Sequence, residues 1–262
     1  MTTQTLAGRV ALVTGGSRGI GRAACLKLAA VGAAVAVNYH SRPDAAGEVV
    51  SAIDSGGGRA LAVEGDVADR AAVVHLVDRV ARDLGPIDVL INNAGLLFSG
   101  SLFHYDDAEL DAMWRTNVKG ILHATAAVAP SMIERGWGRV VNVASAAGVG
   151  TSLPGTTLYA ATKGAVLILT KRLAFELGRQ GITVNAVLPG YTRTDMTMAG
   201  RSADEARSIV EMLDSRSMIG RGVADPDEIA TVIAFLASPE SAFMTGQLLL
   251  ADGGRMDYLA HV

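Results

Sequence analysis

Seven short runs at residues 10–14, 33–38, 60–64, 89–92, 139–144, 183–188 and 247–251 are almost continuous in apolar character. A strand with one wet face alternates apolar and polar residues. A strand buried on both faces does not, so these runs predict a parallel sheet covered on each side. Segments of helical spacing lie between them. Over residues 71–84, Val73, Val74, Val77, Val80, Ala81 and Leu84 recur every three or four positions, the period of a helix that lays one face on a core. Strand and helix in alternation predict an α/β fold: a doubly wound, seven-stranded parallel sheet with helices on both faces. No Pro/Ser/Gly-rich linker or charge run divides the chain, so residues 1–262 are expected to form one domain. One stretch breaks the rhythm. Residues 192–222 hold polar side chains, Met196, Met198, Met212 and an amphipathic piece, too long for a simple connection and expected to act as a lid over a binding site.

Composition narrows the function classes. Half the residues are hydrophobic (50%), which excludes a disordered chain. With 23 Lys+Arg against 26 Asp+Glu, the net charge of −3 gives no basic footprint for nucleic acid. Cys25 is the single cysteine, so neither an intrachain disulfide nor a Cys-based zinc site is expected, and no metal; Cys25 reads as a small core residue. No apolar run reaches the ~18–20 residues of a membrane span. The first residues are polar and lack the charged-then-apolar order of a signal peptide, so a cytoplasmic protein is expected.

The first strand runs into Thr14-Gly15-Gly16-Ser17-Arg18-Gly19-Ile20-Gly21, after which a helix begins. Glycines let the backbone turn tightly and approach a pyrophosphate, and the helix N-terminus offers free N–H groups and positive dipole. The spacing is G-x-x-x-G-x-G rather than the commoner G-x-G-x-x-G; its place after an apolar strand and before an apolar helix makes it a dinucleotide site. The second strand ends in Asn38-Tyr39-His40-Ser41-Arg42, without the acidic residue that would accept from a ribose 2′-OH. Ser41, Arg42 and the Arg18 of the glycine turn are instead what a 2′-phosphate requires, so NADP(H) is expected over NAD(H). After the third strand, Asp66, followed by Val67, is placed to accept from the adenine amino group, since Asp69 is the better cap for the next helix. After the fourth, the small residues of Asn92-Asn93-Ala94-Gly95 leave room for a ribose.

The fifth strand ends at Ser145, in the crevice where open α/β sheets bind ligands. Tyr159 and Lys163 are four apart and share one helix face. A phenol is a poor base at neutral pH, and a nearby ammonium favours its ionised form. A tyrosine tuned in this way can exchange a proton with a carbonyl or alcohol oxygen. Asn117, a mediocre helix former, lies in the preceding helix, where it can bend the backbone around a water on a path to Lys163.

These residues resemble the classical short-chain dehydrogenase/reductase family, over essentially the whole chain. The resemblance rests on T-G-x-x-x-G-x-G at residues 14–21, Asn92-Asn93-Ala94-Gly95, Asn117, Ser145, Tyr159-x-x-x-Lys163 and Pro189-Gly190. It implies a Rossmann-type fold and a catalytic tetrad of Asn117, Ser145, Tyr159 and Lys163. Ser145 would polarise the substrate carbonyl and Tyr159 act as general acid/base. Lys163 would bind the nicotinamide ribose and tune Tyr159, and Asn117 would hold a relay water. Pro189, Gly190, Thr192 and Thr194 would grip the nicotinamide carboxamide, and hydride would pass directly between nicotinamide and substrate carbon. Within the family the chain is most similar to 3-oxoacyl-acyl-carrier-protein reductases, on residues 15–21, 181–185, 189–196 and 252–254. Members of this type usually form homotetramers. Two departures stand out. The interval from Ser145 to Tyr159 is one residue longer than the usual gap, so residues 146–158 are expected to be reshaped. The chain also continues past Gly254 as residues 255–262, a segment that is either frayed or packed on a neighbouring subunit.

The expected pocket wall, Leu96, Leu97, Phe98, Leu153, Pro154, Tyr191, Met196 and Met198, is apolar with few fixed charges. Such a wall suits an acyl, cyclic or aromatic ketone better than a small sugar. Among these, Leu153, Tyr191 and Met196, with Ser145 and Tyr159, are the expected substrate contacts. Reduction of a 3-oxoacyl thioester or similar ketone leads; a polyol, sugar or cyclic secondary alcohol is the alternative. A non-catalytic dinucleotide sensor is disfavoured because both Tyr159 and Lys163 are present.

Overall fold

Every neighbouring pair in the main sheet runs parallel, and each of the seven strands falls within one residue of its expected limits at either end. The structure, a computed structural model, describes residues 4–198 and 200–259. In chain order the elements are β1 (Val10–Val13), α1 (Gly19–Ala30), β2 (Ala34–Tyr39), α2 (Pro43–Ser55), β3 (Arg59–Glu64), α3 (Arg70–Asp83), β4 (Val89–Asn92), α4 (Asp107–Trp114), α5 (Gly120–Glu134), β5 (Gly138–Val143), α6 (Thr157–Leu177), β6 (Ile182–Pro189), β7 (Tyr191–Thr192), α7 (Asp195–Met198), α8 (Ala203–Asp214), β8 (Val223–Ala224), α9 (Pro226–Ala237) and β9 (Leu248–Ala251). The sheet order is β3-β2-β1-β4-β5-β6-β9.

The continuous apolar runs have a simple cause. Successive side chains of β1 point to opposite faces, and both faces are covered. Ala11 and Val13 join the core under α1 and α9, with Ala23, Ala24, Leu28, Ile229 and Ile233. Val10 and Leu12 join the other core, under α3 and α5, with Val73, Leu76, Val80, Val128 and Met132. Cys25 is buried in the first of these. Asp69 accepts from Ala71 and Ala72 N–H at 2.8 and 3.3 Å and caps α3, as its position predicted.

The order reverses direction at β1. The chain leaves β1 toward β2 and β3, then returns to β4 on its other side. A crevice therefore opens beyond the carboxyl ends of β1 and β4, where neighbouring connections depart to opposite faces. The glycine turn and the Asn92-to-Gly95 segment both leave the sheet there.

Three features lie outside the expectations. Between α4 and α5 the backbone widens into a π turn at Arg115–Lys119, with Gly120 N–H bonded to Arg115 C=O and Asn117 inside it. The 192–222 excursion is clasped at its base, where β7 pairs with β8 as a separate parallel ladder. The tail folds back on its own chain: Thr151 bridges Tyr258, and Ser152 and Leu259 N–H donate to Asp257 and Gly150 C=O at 2.9 and 3.1 Å. The lengthened stretch after Ser145 is thus stapled to the tail of its own chain; residues 260–262 lie outside the described residues.

Candidate active site

A cavity of about 510 Å³ runs along the carboxyl edge of the sheet, from the glycine turn to the α7 region. Its first wall is backbone. Gly15 and Gly19 adopt φ of +62° and +53°, which L side chains rarely reach. Arg18, at the N-cap of α1, is extended (φ −152°) and offers no side-chain cap, and the first turn carries no acid. The first N–H groups of α1 are therefore left for a ligand, with the positive end of the helix dipole behind them. Thr14 and Asn93 hold this turn against the next one. Thr14 Oγ1 accepts from Asn93 and Ala94 N–H at 3.0 and 3.1 Å, and Asn93 Nδ2 donates to Thr14 and Gly15 C=O at 2.9 and 3.0 Å. Gly21 needs correction as a cofactor contact. It does not border the cavity; a Cβ there would stand 2.2 Å from Gly15 O, so this glycine exists to let α1 approach the turn.

Ser17, Arg18, Gly19, Ile20, Ser41, Arg42, Asp66 and Val67 all line the same cavity. Asn38, not singled out in the sequence, ties the three strand ends together: its Oδ1 accepts from Gly15 N–H at 3.2 Å and its Nδ2 donates to Gly65 C=O at 2.9 Å. A buried Asn at the end of a strand is its one sequence signal. Asp66 Oδ1 accepts from Ala68 N–H at 2.9 Å within its own turn. Arg18 reaches across the mouth to Asp195 of α7, 3.5 Å away, both side chains being exposed.

At the other end, Ser145 follows β5 and its Oγ accepts from Ala147 N–H at 3.1 Å. Tyr159, in the first turn of α6, borders the cavity beside it, as does Lys163 one turn on. The Lys163 Nζ donates to Val143 C=O at 2.8 Å and sits 5.7 Å from the Tyr159 ring centroid. Lys163 is only 4% exposed and forms no ion pair with a carboxylate among the described residues. Burial lowers its pKa from 10.5 to about 8. The same burial raises Tyr159 from 10.0 to about 12, against a smaller pull downward from the Ser145 hydroxyl. The expected net lowering of the phenol by its lysine is thereby reversed in sign: desolvation of the phenolate outweighs the rest.

Asn117 is buried behind the cavity rather than on its wall. Its Oδ1 accepts from Leu96 N–H at 2.8 Å, and its Nδ2 donates to Leu96 C=O at 2.9 Å and Thr162 Oγ1 at 3.0 Å. A Cβ on Gly95 would lie 3.3 Å from Asn117 Oδ1 and 3.7 Å from Lys163 Nζ. Asn117 thus fixes the segment after β4 against α6 through its side-chain amide.

Ala94, Gly95, Pro189, Gly190, Thr192 and Thr194 line the middle of the cavity, and Leu96, Leu97, Leu153, Tyr191 and Met196 its apolar part. Three expected wall residues are elsewhere. Phe98 packs with Met113 and Tyr159, Met198 packs under α8, and Pro154 is not on the wall. The Tyr191 hydroxyl turns away to donate to Thr197 C=O at 2.7 Å. The reading of a wall with few charges also missed Arg255, which lines the cavity from the tail. Its signal was a lone Arg directly after Gly253-Gly254, at the carboxyl end of the last strand.

A family model described as short chain dehydrogenase matches residues 9–205. Nodulation protein G of Azospirillum brasilense is 39% identical over 246 residues, covering 94% of this chain and 97% of that protein. A 3-oxoacyl-acyl-carrier-protein reductase of Staphylococcus epidermidis is 38% identical over 244 residues, covering 93% and 97%. Among solved structures, a gluconate 5-dehydrogenase from Burkholderia cenocepacia in complex with NADP and tartrate superposes with a TM-score of 0.88 at 35% identity, covering 96% of each chain.

Proposed function

The chain belongs to the short-chain dehydrogenase/reductase family, oxidoreductases of CH–OH and C=O groups, and on that premise we propose that it is an NADP(H)-dependent reductase of a ketone with an apolar body, a 3-oxoacyl thioester or a similar compound. One observation carries this reading: Tyr159, Ser145 and Lys163 border the same cavity as the glycine turn. The residues present fit the cofactor. Uncapped N–H donors and positive-φ glycines suit a pyrophosphate. Arg18, Ser41 and Arg42 line the cavity where residues 38–42 hold no carboxylate, which suits a 2′-phosphate. Asp66 and Val67 would face the adenine, Asn93, Ala94 and Gly95 a ribose, and Pro189, Gly190, Thr192 and Thr194 the carboxamide. Bound there, NADP(H) supplies the hydride.

The protein's own part is to orient the carbonyl and deliver a proton. Ser145 Oγ–H donates to the carbonyl oxygen. Tyr159, a protonated phenol at neutral pH, donates its proton to the same oxygen as negative charge develops there. Lys163 carries a positive charge one turn away, which eases the phenolate left behind. Asn117 holds Leu96 and thereby the floor beside Lys163. Leu96, Leu97, Leu153 and Met196 favour an apolar substrate body over a polyol or sugar.

Following the loss of NADPH absorbance over a panel of ketones, including an acetoacetyl thioester, tests the reading, with NADH run alongside. Turnover preferring NADPH is expected; NADPH binding without turnover on any member would favour a sensor. Tyr159→Phe should lower kcat by roughly 10²–10⁴-fold while leaving NADPH bound; near-normal kcat would remove the acid role. The same reading includes a homotetramer in the cytoplasm. Ile168 and Phe175 stand 62% and 76% exposed on α6, and Leu250 of the edge strand β9 is 45% exposed, apolar surface that a second copy would cover. Among the described residues no helix is long and apolar enough to cross a membrane. A monomer by light scattering would remove the assembly and leave the chemistry standing.

A further inference from the structure

The tail brings a buried cation to a wall that otherwise reads as apolar. The Arg255 side chain is 4% exposed and lines the cavity. Its Nε and Nη2 donate to the two oxygens of Asp257 at 2.8 and 2.5 Å, and its Nη1 has no partner among the described residues. One edge of the guanidinium is therefore occupied and the other is not. Asp257 is itself shared: Arg216 Nη1 lies 3.5 Å from its Oδ2, and Ser152 Oγ donates to it at 3.1 Å. Two guanidinium groups thus draw on one carboxylate. The neighbouring Asp252 is turned to the Tyr258 hydroxyl and to Gly254 and Arg255 N–H. The location is on the substrate side. Asp257 is bonded to Ser152 and Tyr258 bridges Thr151, beside the wall residue Leu153.

From this arrangement we infer that Arg255 selects the substrate: the carbonyl compound carries a carboxylate that pairs with the free edge of this guanidinium. A planar fork with one edge held rigid is suited to a second carboxylate, and on a buried side chain such a charge-assisted pair is strong. The inference rests on the reductase reading and names the substrate class for it.

The test is a series of oxo acids differing in the number of carbons between ketone and carboxylate, each paired with its methyl ester and assayed with NADPH. For at least one spacing the acid should exceed its ester by about tenfold or more in kcat/KM, through KM, the equivalent of about 1.4 kcal/mol. Arg255→Leu alone would strand the Asp257 carboxylate, so the informative variant is Arg255→Leu with Asp257→Asn. In it, the acid should lose its advantage, the acid-to-ester ratio of kcat/KM falling to about one. Asp257→Asn alone should retain the preference. Esters that turn over as well as their acids at every spacing would overturn the inference and leave the reductase reading intact. If nothing turns over, the reductase reading fails, and calorimetric titration of the same acids and esters into wild type and double variant decides for Arg255. Acid-selective binding lost in the double variant supports it; equal binding overturns it.

Discussion

Replacing Lys163 with Met should make the ligand-free protein more stable while abolishing turnover. The ammonium is buried, faces only the Val143 carbonyl among the described residues, and has its pKa depressed from 10.5 to about 8. That shift corresponds to about 3 kcal/mol of destabilisation whenever the group is charged in both folded and unfolded chains. Lys163→Met removes the charge and fills similar volume, but leaves Val143 C=O without its donor, a loss of about 1–2 kcal/mol. The net gain at about pH 7 is then roughly 1–2 kcal/mol. The sign with pH is fixed by linkage. Because the folded value is the lower one, the unfolded chain binds the extra proton between about 8 and 10.5, so wild-type stability from this group rises with pH across that window. The variant has no such rise. Its advantage should therefore shrink by about 2 kcal/mol between about pH 7 and about pH 9.5. Urea unfolding of both proteins at the two pH values measures this difference directly, and NADPH oxidation on the same samples measures the lost activity. A variant less stable than wild type by an amount independent of pH would refute the reasoning, because it would mean that the ammonium is fully compensated in the folded chain.

Other outcomes follow from the same geometry. Gly21→Ala should destabilise by several kcal/mol, seen as a lowered Tm and weakened NADPH binding together, since the added Cβ meets Gly15 O at 2.2 Å and Asn93 Nδ2 at 2.5 Å. Arg18→Ala with Arg42→Ala should reduce kcat/KM for NADPH by about 10²-fold, with charge-assisted bonds of about 1.5–3 kcal/mol each, and leave that for NADH nearly unchanged; an equal fall for both cofactors would remove the 2′-phosphate assignment. Asn117→Ala should cost about 2–4 kcal/mol in urea unfolding, because two Leu96 backbone groups and Thr162 Oγ1 lose their partner.

Much of the sheet was legible because burial on both faces leaves apolar runs, and the cradle was legible because glycines mark it. The site read less completely where long-range packing decides. In α3 the apolar period was clear but not its phase: Leu76 is buried and Val74 is 45% exposed, since Val73, Leu76 and Val80 form the inward stripe and Val74 lies a helical step around it. The Tyr159–Lys163 spacing supplied a cation near a phenol, but the extent of burial, which sets the sign for the phenol, comes from how α6 packs against β6 and the turn at Ala146–Val149. Asn117 was visible as a poor helix former, and its π turn is the structural answer. Two-residue strands such as β7 and β8 have no period to detect. Nor does a tail show which loop it will join, so Arg255 stayed hidden until its pairing with Asp257 and its place on the wall were seen.

The clasp made by β7 and β8 fixes the two ends of the stretch strung between them. Tyr191 pairs with Val223 and Thr192 with Ala224, and Leu213 packs with Tyr191 and Val223 beneath α8. Ends already fixed beside each other close a longer or shorter intervening stretch at little entropic difference, about 0.6 kcal/mol per doubling of length. Residues 200–212 are in that sense an exchangeable cassette, while Asp195, Arg216 and Ser217, which meet Arg18, Asp257 and Arg255, stay with the frame. Segments grafted between the two short strands could reshape the apolar chamber while the registers of the seven main strands, and the proton donor standing on α6, stay where they are.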